Sequence, residues 1–153
     1  MLPFKKILCP TDFSEPSYEA LKVANELALH FSSEILVVHV VAPVPLVPAA
    51  PTVPVAFNVV EYQQEMERSS RKLLEDLVKK RIPERMSART MVVTGEPASQ
   101  IVKIADEEKV DLIVIATHGQ TGWRRFVFGS VTEKVVRLAS KPVLTIRAPQ
   151  TEG

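Results

Sequence analysis

Residues 113–136 read IVIATHGQTGWRRFVFGSVTEKVV, an apolar run that enters a glycine-punctuated loop and leaves as an amphipathic segment. Ile113, Val114 and Ile115 are β-branched and uninterrupted, as in a strand buried on both faces of a parallel sheet. Polarity changes at Thr117. Gly119, Gly122 and Gly129 then fall within eleven residues, although the whole chain holds five glycines and one of those is its last residue. Ser130 stands three residues before Glu133, the capping-box spacing, and Val131, Val135, Leu138 and Ala139 recur behind it at helical intervals. The stretch predicts a strand, a loop and a helix beginning at Ser130. A helix N-terminus offers unpaired N–H groups and partial positive charge, and glycine lets the backbone approach an anion closely, so the chemistry suggested is phosphate binding. Read from the residues alone, Gly119 and Gly122 that only turn the chain, with Ser130 only a cap, stand as the alternative.

The same alternation extends outward in both directions. Upstream, Arg89 to Thr94 reads as a strand, and Gly95-Glu96-Pro97 breaks it into a helix with Ala98, Ile101, Val102 and Ala105 on one face. Downstream, Lys141-Pro142 opens a short strand over 143–147. In the N-terminal half, Phe4 to Cys9 is an apolar strand, and Ser14-Glu15-Pro16 carries helix-start chemistry for a helix over 15–31. Ala20, Ala24, Leu27 and Phe31, with Leu21 and Ala28 beside them, form its sheet-facing side. Ile35 to Val41 is a second buried strand. Residues 42–58 hold five prolines among valines and alanines, which neither propagate a helix nor join a central strand, and predict a long stiffened loop. Tyr62, Met66, Leu73 and Leu77, with Leu74 and Val78, then mark a long amphipathic helix ending near Pro83. Five strands alternating with four helices give an α/β fold with right-handed crossovers, a parallel sheet and helices on both faces.

Composition narrows the function. With 153 residues, 46% of them hydrophobic and 24% charged, the chain reads as one domain spanning 1–153. Nineteen basic and eighteen acidic residues are interspersed and leave a net charge of +1, so neither nucleic acid nor an anionic membrane is an expected partner. No apolar run has the length of a signal peptide core or a membrane span, and the expected location is cytoplasmic. The single cysteine, Cys9, excludes an internal disulfide or a cysteine-built zinc site and sits in an apolar strand as buried filler. No G-x-x-x-x-G-K-[S/T] or G-x-G-x-x-G motif occurs. No catalytic residues and no protein-borne metal ligands are assigned; His30 and His39 suggest no metal pairing.

Ala116-x2-Gly119-x9-Gly129-Ser130 resembles the G-x2-G-x9-G-[S/T] nucleotide signature of the universal stress protein family. It matches the last two glycines, the hydroxyl residue and the gap, and departs at Ala116, where the pattern has glycine. Ile7 to Asp12, Val37 to Val40 and Gly95-Glu96-Pro97 are further family-like pieces, so the likeness runs from the first strand to the last. It implies a three-layer, doubly wound, adenine nucleotide alpha hydrolase-like sheet of order 3-2-1-4-5, in which the ends of strands one and four are neighbours at the switch point. It also implies ATP, or ADP or AMP, as ligand, with Mg or Mn carried on the phosphates.

The positions carried over are Pro10, Thr11 and Asp12 near the adenosine, Val40 against adenine, and Ala116, His118, Gly119, Gly129, Ser130, Val131 and Thr132 around the phosphates. Beside these roles stand plainer ones: Asp12 as a helix cap, Val40 as core, His118 as an incidental loop histidine, and Trp123-Arg124-Arg125 as a surface patch. The resemblance implies a stress-linked nucleotide-binding regulator. A slow ATPase or a phosphoryl or nucleotidyl transferase on the same pocket, and a nucleotide-free dimeric interaction module, are the alternatives. A homodimer through strand 143–147 and a further, unidentified protein partner are expected, with a C-terminal tail folded over that strand as the alternative to the dimer.

Overall fold

The computed structural model describes residues 1–45, 58–119 and 128–149. Its elements alternate as β1 (Lys6–Pro10), α1 (Glu15–Phe31), β2 (Glu34–Val41), α2 (Val59–Arg81), β3 (Ala88–Thr94), α3 (Pro97–Glu107), β4 (Leu112–Ala116), α4 (Ser130–Leu138) and β5 (Val143–Ile146). All strand pairs are parallel, and the order is β3-β2-β1-β4-β5. The sheet therefore grows one way from β1 through β2 to β3, then restarts on the other side of β1 with β4. Because each crossover is right-handed, reversing the direction of growth moves the helices to the opposite face.

Side-chain alternation records those two faces. Ile7, Cys9, Ile35, Val37, Leu112, Val114 and Ala116 pack with Ala20, Leu21 and Ala24 of α1 and Leu74 and Leu77 of α2. Leu8, Leu36, Val38, Ile113 and Ile115, the intervening residues, pack with Ala98, Ile101, Ile104 and Ala105 of α3 and Val135 of α4. A period of two thus feeds two cores, and β4 is buried along its whole length. Cys9 belongs to the first core at 0% exposure, where burial pushes its thiol up to about 12 and leaves it inert.

Several boundaries and faces differ from the sequence reading. β1 starts at Lys6, not Phe4, because Asp111 Oδ2 accepts from the Lys5 and Lys6 N–H groups (2.7 and 2.9 Å) and Phe4 instead packs edge-on to Phe31. β5 stops at Ile146. On α2 the buried stripe is Ser70, Leu74 and Leu77, while Tyr62, Met66 and Leu73 are exposed at 44%, 41% and 53%. The stripe continues N-terminally through polar side chains. Gln63 and Glu67 both bond Thr94 Oγ1 at the end of β3, so apolar counting placed the face one position off. On α3, Ile104 is buried and Val102 only partly so. Leu138 of α4 is exposed. Of the proline-rich loop at 42–58, residues 46–57 lie outside the described residues.

Glu96 holds α3 in place from outside. It is the N-cap, accepting from Ala98 and Ser99 N–H (3.3 and 2.8 Å), and it also meets Lys134 of α4 at 3.1 Å. The Ser99 hydroxyl and N–H, then Lys134 and Ala98, draw its carboxyl down from 4.5 to about 2. A carboxyl lowered on folding stabilises fully above its unfolded value and loses that contribution as pH falls through the folded one. Glu96 is about half exposed, so solvent screens the gain. Glu96→Ala should cost about 1 kcal/mol at pH 7, and the difference from wild type should shrink between pH 4.5 and pH 2, as read from chemical denaturation at a series of pH values. A difference independent of pH would show that the carboxylate is not the capping group.

Candidate functional site

β1 leaves the sheet immediately after Thr11, whose N–H makes a last bond to the Val38 carbonyl (2.8 Å). Ser17 Oγ gives its one hydrogen to the Ser14 carbonyl (2.8 Å), so the buried Thr11 hydroxyl must be the donor in the 2.8 Å contact with Ser17 Oγ. Thr11 Oγ1 in turn accepts from Phe13 N–H at 3.0 Å. The hydroxyl of Thr11 is thereby committed to loop structure. Phe13 sits at φ 61°, a left-handed conformation that costs a non-glycine residue roughly 1–2 kcal/mol. Asp12 does not cap α1; Ser14 does. Asp12 Oδ1 accepts from both the N–H and the hydroxyl of Ser14, which fixes one side of the carboxylate, while Oδ2 faces Gly119.

The β4 end is built to match. Thr117 N–H bonds the Ile146 carbonyl (2.9 Å), and the Thr117 carbonyl accepts from Gly129 N–H at 2.6 Å, which brings the two ends of the intervening loop together. Thr132 Oγ1 donates to the Ala116 carbonyl (2.6 Å) and ties the first turn of α4 to the last residue of β4. Ala116 is paired with Ile146 at negative φ, with its side chain in the first core. Position 116 thus requires no glycine for its conformation.

The sequence reading of Ser130 as the capping residue is corrected. Gly129 is the N-cap, in extended backbone (φ −69°, ψ 165°), and Ser130 is the first helical residue. The Gly129 carbonyl receives Glu133 N–H at 3.0 Å, and no side chain caps the helix. The N–H groups of Ser130, Val131 and Thr132 precede that first helical bond and form the positive end of α4. A Cβ on Gly129 would lie 3.4 Å from the Thr117 carbonyl oxygen, an ordinary contact, so it is the Gly129 N–H bond to that carbonyl that holds this end close to the β4 exit.

Between the two strand ends lies a cavity of about 270 Å³. Its wall includes Pro10, Thr11, Asp12, Val40, Ala116, His118, Gly119, Gly129, Ser130, Val131 and Thr132, so the structure brings together all eleven positions named from sequence. Sequence reasoning placed His39 at the end of the second strand without naming it as a site residue, and it missed Ser17, Val38, Pro97, Ile101 and Ile115. Val38 was legible in principle, being two residues before Val40 and so on its face of the sheet; Ile101 and Pro97 needed the packing of α3 against β2. Val38, Val40, Ile101 and Ile115 give the wall its apolar surface, and the start of α4 gives it main-chain N–H groups. Asp12 is the carboxylate among its described lining residues. Among the described residues no cluster of three or more His, Cys, Asp or Glu offers a metal site, and no helix is long and apolar enough to cross a membrane. Gly122 and Trp123-Arg124-Arg125 lie outside the described residues.

An open α/β sheet with a cavity at its switch point and an uncapped helix start beside it defines a ligand-binding class of fold. Comparison with known proteins then places the chain: residues 3–147 match the model of the universal stress protein family, and the chain belongs to that family. It is 36% identical over 152 residues to universal stress protein MJ0531 of Methanocaldococcus jannaschii, covering 97% of this chain and 85% of that protein. The solved structure of MJ0577 from the same organism superposes with a TM-score of 0.81 at 30% identity, covering 97% of this chain and 99% of that one. A universal stress protein from Archaeoglobus fulgidus, solved in complex with dAMP, shares the fold at a TM-score of 0.56 and 23% identity, with 95% and 99% covered.

Gly119 is needed for space rather than for a special φ, because a Cβ on it would collide with Asp12 Oδ2. Gly119→Ala should therefore destabilise by about 1 kcal/mol, and the cost should disappear when Asp12 is also alanine. A thermal double-mutant cycle measures this, and additive penalties would show that the two residues do not touch.

Proposed function

We propose that the protein binds an adenine nucleotide, ATP or its di- or monophosphate, at the switch-point cavity and acts as a stress-linked regulator. The observation that carries this is the pairing, in one cavity, of an apolar slot at Val38, Val40, Ile101 and Ile115 with the uncapped start of α4 at Ser130. The slot suits a purine ring, and the N–H groups of Ser130, Val131 and Thr132, with Gly119 and Gly129 allowing close approach, suit phosphate oxygens. Asp12, in the same wall, would accept from a ribose hydroxyl or the adenine amino group. His118, whose Nδ1 lies 3.0 Å from Thr117 Oγ1 and which lines the same cavity, would donate to the phosphates. That a protein of the same fold forms a complex with dAMP supports the ligand class. Mg or Mn would ride on the phosphates, since Asp12 alone among the described lining residues carries a carboxylate.

The reading extends to location and assembly: a cytoplasmic homodimer paired through β5, which also engages a further protein partner. Pro142 and Ile146 carbonyls face β4, where they accept from Ile113 and Thr117. By alternation Val143 and Thr145 turn their N–H groups away from β4, toward a side where no strand pairs among the described residues. Leu144, at 37% exposed, lies on that edge strand. Light scattering at micromolar concentration should give twice the chain mass, and Thr145→Pro, which removes an outward donor, should give the monomer. A strictly monomeric wild type would overturn the assembly.

Binding itself is tested by thermal melts with ATP, ADP and AMP. A ligand at a hundred times its Kd should add about 2.7 kcal/mol. Ser130→Asp separates the site from the fold, because an acidic residue in the first turn favours the helix by ~0.3–1 kcal/mol yet repels phosphate. The variant should melt no lower than wild type and lose the ATP-induced shift. If all three nucleotides leave the wild-type melt unmoved, the nucleotide reading fails.

A further inference from the structure

We infer that His39 is the positioning residue of the site, holding the Thr11–Phe13 loop so that the Asp12 carboxylate meets the ligand; the inference rests on the nucleotide reading above. His39 follows Val38, the residue at which the β1–β2 ladder ends. Beyond that point no main-chain bond joins the two strands among the described residues, and the side chain of His39 takes over. Its Nδ1 lies 2.8 Å from the Thr11 carbonyl oxygen. A carbonyl only accepts, so Nδ1 carries the proton in either charge state of the ring and the bond extends the ladder by one more rung.

The ring also supports Phe13, with centroids 4.6 Å apart and planes tilted by 42°. Phe13 is the left-handed residue of the loop, held against its conformational preference. His39 therefore grips the residue before Asp12 and the residue after it. Ser14 holds Asp12 Oδ1 and Gly119 bounds Oδ2, so the position of the carboxylate follows the backbone of its loop, which His39 helps to fix. His39 acts through Asp12, and its contribution should vanish when Asp12 has no carboxylate to place.

Titration calorimetry of AMP and ATP, well below the melting temperature, into wild type, His39→Ala, Asp12→Ala and the double variant tests this. His39→Ala should weaken both nucleotides by the same factor, about tenfold, the order expected from one misplaced hydrogen bond. On the Asp12→Ala background the same change should weaken binding less than twofold. His39→Asn, whose Nδ2 stands where Nδ1 does, should recover affinity in part by restoring the bond to Thr11. If His39→Ala does not fold, His39→Phe, which keeps a ring beside Phe13 and has no donor, makes the same comparison. Unchanged affinity with a lowered melting temperature, or equal factors on both backgrounds, would overturn the inference and leave the nucleotide reading standing. A wild type that binds neither nucleotide would overturn both.

Discussion

The constraint on which this structure depends is the handedness of its crossovers. Four parallel connections of one hand, the first two moving across the sheet one way from β1 to β3 and the last two moving the other way from β3 to β4 and on to β5, place α1 and α2 on one face and α3 and α4 on the other. No helix can then cover the seam where β1 and β4 part, because the chains leaving those two strands go to opposite faces. The crevice is thus a consequence of topology. What the local sequence adds is its shape: loops at both strand ends that bond to themselves, through Thr11 with Ser17 on one side and through Thr117 with Gly129 on the other.

Polarity within the crevice follows from the same two loops. The β1 loop contributes a carboxylate whose oxygens are held by Ser14 and bounded by Gly119, and the β4 loop contributes helix N–H groups with no side-chain cap. One wall accepts hydrogen bonds and the other donates them. Both line the same cavity as the apolar residues supplied by β2, β4 and α3. A ligand with a flat apolar body, a hydroxylated middle and an anionic end satisfies all three at once, which is why the adenine nucleotide reading is preferred to a simple anion site.

Much of this was legible in the sequence, for identifiable reasons. The continuous apolar runs at 35–41 and 113–115, short and rich in β-branched residues, read as strands buried on both faces, and α1 was bounded at both ends as Ser14 and Phe31 indicate. Strand order was not legible from periodicity, since alternation says that a residue is buried and not which strand lies beside it; the family resemblance supplied it. Ser130 misled because a serine three residues before a glutamate has the spacing of a cap, whereas Gly129 takes the cap's extended conformation and leaves the serine inside the helix. Leu73 misled because its neighbour Leu74 is the buried one and the face continues through Ser70 and Gln63. The bond from His39 to Thr11 joins residues 28 apart in the chain, and no local pattern encodes it.

The central claim is that the nucleotide lies across the switch point with its phosphates on the start of α4, and backbone amide NMR tests it most directly. On titration with ATP, the account predicts that the largest shifts fall on the N–H groups of Ser130, Val131 and Thr132, with a second set at Asp12 and Val40. Adenosine should reproduce the second set and leave the first nearly still. Shifts confined to α2 or to the β5 edge, or an ATP pattern indistinguishable from that of adenosine, would contradict it.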